Sequence, residues 1–266
     1  MFRRLFAMLI TIQISTAALV GQTSNALPER EKVLIVPPGQ SRTFMFTNKL
    51  GLFYYGETSQ PNISAFHGLS YLTRKYLDDY FIEIAGEELR RDKAEVHLLG
   101  NKIIRYFSNP ELEEEIAIVD SLPVMMIKIR SKQKAPTTIG ARIAEGTLAD
   151  YTIEWSAADK MLQISRKHQL VRNDDKNYPA WLGIYAYPDG EYIPAEIDTA
   201  PAKSQSSRNK SFCPGEINVY LESEVLILFI IGESKSDLLK IRNRMLKNLK
   251  IELKKPNSQI EGVRQA

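Results

Sequence analysis

From Glu31 to about Gly232 the apolar residues recur at every second position, in short runs parted by Gly, Pro, Asn and Ser. That period sends successive side chains to opposite faces of an extended chain, which no helix can satisfy. It predicts strands over residues 43–46, 52–55, 80–84, 95–99, 102–107, 116–119 and 124–129. Further strands are expected over 151–155, 161–164, 181–187, 217–221 and 225–231. Gly100-Asn101 between two such runs is a two-residue hairpin signal, and Ala85-Gly86-Glu87-Glu88 reads as another turn. Many short strands at close spacing specify a sandwich or barrel and not a βαβ fold.

The run from Val225 to Ile231 is apolar at every position. A strand of that kind is covered on both faces. The expected fold is therefore all-β, a two-layer antiparallel sandwich of supersandwich-like form over residues 27–233. One helix is expected at 234–255, capped by Ser234 or Ser236, with Asp237 in its first turn and Leu238, Ile241, Met245 and Leu249 at helical spacing. Pro256 ends it, and 256–266 reads as a flexible tail. Residues 199–211, rich in Ala, Pro, Ser and Lys, read as a long loop.

The N-terminus carries a different pattern. Arg3 and Arg4 precede an uncharged, weakly apolar run from Leu5 to Val20, and Ser24-Asn25-Ala26 follows as a small-x-small site. This is the order of a signal peptide cleaved near Ala26, leaving a secreted, periplasmic or surface protein with no stable membrane span. An uncleaved anchor is the alternative. Loss of residues 1–26 removes Arg3 and Arg4 and no acid, so 35 basic residues become 33 against 32 acidic ones. A balance so close to neutral argues against nucleic acid, which selects a basic stripe. The lone Cys213 is expected to be buried and inert, and the three histidines, His67, His97 and His168, show no paired metal-binding spacing. No cofactor and no metal are expected.

No Gly-x-Ser-x-Gly, phosphate loop or paired-histidine motif occurs. Acids are plentiful at 111–115, Asp174-Asp175 and Asp78-Asp79, and each group reads as a solvated, loop-like cluster. Aromatic residues gather near the N-terminal third, among them Phe53, Tyr54, Tyr55, Phe66, Tyr71, Tyr76 and Tyr80. Flat rings with polar tips suit sugar rings, although alternate strand positions also fill a core this way. Trp181 leads into the turn Tyr187-Pro188-Asp189-Gly190 and is a further candidate.

Several strings resemble the N-terminal β-sandwich domain of glycogen-debranching, amylo-α-1,6-glucosidase-like proteins. They are Thr47-Asn48-Lys49-Leu50-Gly51, Phe66-His67-Gly68-Leu69 and Thr73-Arg74-Lys75-Tyr76-Leu77, followed by Ile104-Arg105-Tyr106-Phe107, Leu122-Pro123-Val124 and Glu216 to Glu222. Ser64-Ala65 stands where that family often has an arginine pair. The resemblance implies carbohydrate contacts from His67, Tyr71 and Arg74, with Tyr55 and Trp181 as further candidates. It also implies that the catalytic carboxylates belong to a helical α/α barrel after the connector helix. The chain then reads as a sandwich without that barrel: an exported, non-catalytic domain that recognises an α-glucan-like oligosaccharide or docks on a separate helical-barrel catalytic protein. Two other readings stay open, a stand-alone secreted glycosidase using an unidentified Asp/Glu pair and a structural protein with no ligand.

Overall fold

The computed structural model describes residues 33–62, 64–167, 179–195 and 211–253. The leader at 1–26, most of the loop at 199–211, Asp174-Asp175, His168 and the tail at 256–266 lie outside the described residues.

In chain order the strands are β1 (Leu34–Val36), β2 (Thr43–Thr47), β3 (Leu52–Glu57), β4 (Gly68–Tyr71), β5 (Arg74–Ile84) and β6 (Glu87–Glu88). Next come β7 (Glu95–Leu98), β8 (Lys102–Ser108), β9 (Glu111–Ile118), β10 (Val124–Ser131) and β11 (Ala135–Ile143). The last are β12 (Tyr151–Ser156), β13 (Met161–Arg166), β14 (Trp181–Tyr187), β15 (Glu191–Pro194), β16 (Gly215–Leu221) and β17 (Glu224–Gly232), followed by helix α1 (Lys235–Leu253).

They form two antiparallel sheets. The first has nine strands in the order β1-β7-β8-β9-β10-β17-β14-β13-β12. The second has eight, β15-β16-β11-β5-β4-β3-β2, with β6 added beside β5. The fold is thus an all-β, two-sheet sandwich with one described α-helix. Ala85 and Gly86 turn β5 into β6, both at positive φ (53° and 83°), the pairing a tight hairpin requires.

Alternation decides which side chains meet between the sheets. Leu52, Tyr54, Leu69, Leu77 and Ile82 point inward from one sheet, and Val96, Ile103, Ile116, Ile127 and Phe229 from the other. Strand β17 is buried on both sides, as its composition requires. Val225, Ile227, Phe229 and Ile231 face the other sheet, while Leu226, Leu228 and Ile230 face away from it. That outward row is covered by α1 through Leu238, Ile241 and Met245. Ser234 caps the helix, its Oγ accepting the Asp237 N–H at 3.2 Å.

The acidic runs depart from expectation. Residues 111–115 belong to β9, and residues 78–79 lie within β5, instead of forming solvated loops. The reason in β9 is register: Leu112, Glu114 and Ile116 share the inward face, and Arg105 of β8 stands directly opposite Glu114.

Candidate functional pocket

Strand β4 pairs only with the first part of β5, through Arg74, Lys75 and Leu77. Beyond that point β5 is flanked by the loop after β3 and by the segment from β6 to a single 3-10 turn at Arg91–Lys93. A pocket of about 480 Å³ opens there, lined by Ser59–Pro61, residues 79–82, residues 88–92, Glu114 and Arg142. Its size falls in the lower part of the range of small-ligand sites, roughly 300–1,000 Å³.

The inner wall is a charged network drawn from both sheets. The Arg105 side chain, 0 % exposed, donates from Nη1 to Glu114 Oε2 at 2.7 Å and to the Tyr80 hydroxyl at 3.0 Å. Its Nε and Nη2 donate to the Thr58 and Glu57 carbonyls at 2.6 and 3.0 Å. The Tyr80 hydroxyl donates to Glu114 Oε1 at 2.7 Å. Burial, and then the Glu114 charge, push the Tyr80 phenol well above its ordinary range, so it remains a donor.

A second pair lies beside the first. Arg91 Nη1 meets Asp79 Oδ1 at 2.9 Å, and its Nη2 donates to the Tyr80 carbonyl at 2.5 Å. The same guanidinium lies over the Tyr80 ring, 4.4 Å from its centre. Asp79 also accepts the backbone N–H of Asn62 at 3.0 Å and of Tyr80 at 2.9 Å.

These bonds decide what the wall can do. Glycoside hydrolysis by two carboxylates requires one to carry a proton and the other to face the substrate. Asp79 and Glu114 are instead committed as acceptors to arginines and backbone or phenol donors. Such an arrangement holds the pocket in shape and commits both carboxylates to fixed partners. Among the described residues no group of three or more His, Cys, Asp or Glu is placed to hold a metal ion.

The outer rim is less committed. Phe81 and Gly140 are cross-strand partners on the side of the second sheet that faces away from the core. A Cβ built on Gly140 would lie 2.0 Å from Phe81 Cζ, so the ring is laid along the sheet across the glycine. The Arg142 side chain, two residues on, has no hydrogen bond or ion pair with another described residue, although its backbone pairs with β5. Glu83 and Glu88 are opposite each other on β5 and β6. Burial, then the charges of Glu216 and Glu88, raise the Glu83 carboxyl above its usual value.

None of the five positions singled out from the sequence lines this pocket. His67 is 3 % exposed, packed edge-on against Tyr55 with ring centres 4.7 Å apart. Its Nδ1 accepts the Ser64 N–H at 3.4 Å, its Nε2 lies 3.9 Å from Glu57 Oε1, and burial lowers its pKa from 6.5. Tyr71 and Arg74 are paired across the β4–β5 hairpin, where Arg74 stacks on Tyr76 at 5.3 Å and borders a crevice of about 20 Å³. Trp181 is on the first sheet, packed with the residues under α1, with the Lys235 ammonium 5.0 Å from its ring centre. The structure therefore brings His67 to Tyr55 and Tyr71 to Arg74, and sets Trp181 apart. Phe81, Arg91 and Arg142 stand in no string that marks a site, and Arg105 appears only within the resemblance string Ile104-Arg105-Tyr106-Phe107. The one available signal was Arg105 alternating with Ile103 and Phe107, an inward-facing charge that demanded a partner.

Among described residues no helix is long and apolar enough to cross a membrane. Neither a protein-family model nor a curated protein matches the chain. Solved structures do match, and the ones compared are glycoside hydrolases. A bacterial glucoamylase complexed with acarbose aligns at 10 % identity and a TM-score of 0.51, covering 83 % of this chain and 39 % of the enzyme. A family GH92 α-mannosidase from Bacteroides thetaiotaomicron aligns at 12 % identity and TM-score 0.38, covering 83 % of this chain and 32 % of its own. A GH36 α-galactosidase from Geobacillus stearothermophilus aligns at 11 % identity and TM-score 0.24, with coverages of 76 % and 41 %. The chain spans less than half the length of each, and the likeness to the glucoamylase is one of fold: a two-sheet sandwich of the kind found within a glycoside hydrolase.

Proposed function

We propose that this chain is an exported β-sandwich module, related to those of glycogen-debranching-type glycosidases, that recognises carbohydrate without cleaving it. The observation that carries this reading is the pocket beside β5. It combines polar and apolar lining, is bordered by the Phe81 ring laid along the sheet, and has two carboxylates of its inner wall, Asp79 and Glu114, already bound to arginines. Sugar sites need convergent donors and acceptors with an apolar face, and they do not need a free acid. The fold likeness to a glucoamylase supports the association with carbohydrate, and the signal-peptide pattern supports export, which points to imported or surface glycans over intracellular stores.

Melting temperature measured against a panel of soluble oligosaccharides, α-glucans included, tests the reading. A ligand at about 100 times its Kd adds about 2.7 kcal/mol of stability, which shifts the melting point of a domain this size by several degrees. A shift without release of sugar from the same oligosaccharides is expected. No shift with any saccharide overturns recognition, and hydrolysis abolished by a single Asp or Glu substitution overturns the non-catalytic reading.

A further inference from the structure

We infer that the pocket beside β5 takes an uncharged pyranose unit, seated on the Phe81 ring and hydrogen-bonded by Arg142 and Glu88. This deepens the reading of a carbohydrate-recognising module and rests on it.

The charges select the class of sugar. Asp79 is matched by Arg91 at 2.9 Å, Asp92 by Arg90 at 2.7 Å and Glu114 by Arg105 at 2.7 Å. Arg142 and Glu88 are left, one cation and one carboxylate with no ion pair of their own among the described residues. A guanidinium with five N–H donors and a carboxylate with only acceptor sites together match hydroxyl groups, which both give and take hydrogen bonds. A phosphosugar or uronate would find Arg142 but would also face Glu88, and Glu83 stands beside Glu88 on the neighbouring strand. Glu216 adds a third carboxylate across Gly140 on the same face. Like charges set so close disfavour an anionic ligand.

The ring supplies the rest of the selectivity. Phe81 lies across Gly140 because that position has no Cβ. A ring laid along the sheet can stack on the C–H face of a pyranose, and Phe has no hydroxyl to impose a polar edge. Any side chain at residue 140 would displace the ring.

Isothermal titration of the whole chain with maltotriose, a galacturonic acid trimer and a glucosamine trimer separates the outcomes. Maltotriose binding, with the uronate at least tenfold weaker, is expected. Phe81→Ala and Arg142→Met should each weaken maltotriose at least tenfold, Phe81→Trp should retain it, and Gly140→Ala should weaken it through the displaced ring. Arg142 is on the rim, so its variant should keep the wild-type melting temperature and read binding alone. Tighter binding of the uronate or of the amino sugar overturns the choice of an uncharged unit. Maltotriose binding that survives both Phe81→Ala and Arg142→Met removes this pocket as the site while leaving a carbohydrate-recognising module. No binding in any arm removes both.

Discussion

Arg105 and Glu114 stand directly opposite each other on β8 and β9 and meet at 2.7 Å between the two sheets. Such a pair is tolerable only because further hydrogen bonds complete it, three from Arg105 and one from the Tyr80 hydroxyl to Glu114. Removing one partner strands the other. Arg105→Met should destabilise the chain by about 3–5 kcal/mol in urea unfolding, whereas the double variant Arg105→Met/Glu114→Leu should recover most of the loss. A single variant within 1 kcal/mol of wild type would mean that the charge finds water, and that the network does not hold the pocket wall.

Strand β17 supports two layers at once. Phe229 and Leu228 are both 0 % exposed, yet they face opposite ways, one into the space between the sheets and one under α1. Phe229→Ala should cost about 3–5 kcal/mol and Leu228→Ala about 2–5 kcal/mol, since each leaves a cavity that its rigid neighbours cannot fill. Tyr220→Ala, at a half-exposed position on β16, should stay within about 0.5 kcal/mol. Equal sensitivity on both faces of β17 is the signature of a strand buried between layers.

That double burial was legible in the residues, because seven consecutive apolar positions have no other resolution in a sandwich. Strand β11 was not. Its Ala135-Pro136-Thr137-Thr138-Ile139-Gly140-Ala141 run has few large side chains and two residues that usually break strands, and only its neighbours β5 and β16 hold it in the sheet. Pocket residues were harder still. A run such as 111–115 looks solvated when read alone, and the inward placement of Glu114 follows only once Arg105 is set opposite it. Phe81 gave no signal, since its orientation depends on Gly140, 59 positions away in sequence and one strand away in space.

Gly68, in the Phe66-His67-Gly68-Leu69 string, has a structural task. Its φ is +121°, and an added Cβ would lie 1.9 Å from the Leu77 carbonyl oxygen. The close approach it permits is to the backbone of β5 at the irregular step between β4 and β5. Gly68→Ala combines a backbone conformation unsuited to L residues with a clash against main chain, and should cost about 2 kcal/mol or more. An unchanged melting temperature would show that the β4–β5 pairing can slip to admit the methyl.

Cys213 is half-buried, not fully buried as expected; its Sγ donates to the Gly215 carbonyl at 3.3 Å, and desolvation raises its thiol pKa. A thiol held protonated is a poor nucleophile. Its reaction with a disulfide reagent at pH 8 should be at least tenfold slower in the folded chain than in urea. Equal rates would mean that the segment around it opens readily.

Stability should form a plateau between two titrations whose signs follow from burial. The buried Tyr54 phenol is pushed from 10 up to about 12, chiefly by desolvation and then by Asp79. The folded chain therefore keeps a proton that the unfolded chain releases, so this contribution is complete below pH 10 and is lost as pH rises from 10 towards 12. Two pH units correspond to about 3 kcal/mol. His67 works in the opposite direction. Burial lowers its pKa from 6.5, so the unfolded chain binds the proton first and stability falls as pH drops below 6.5. Urea midpoints from pH 5 to 11 should therefore be highest between about 6.5 and 9, above which the raised Cys213 thiol begins the alkaline loss that Tyr54 continues. Tyr54→Phe should flatten part of the alkaline decline, since the raised Tyr80 and Tyr185 phenols remain, and His67→Leu should reduce the acid slope. An alkaline limb unchanged by Tyr54→Phe would mean that water reaches this phenol, and with it the inner wall of the pocket.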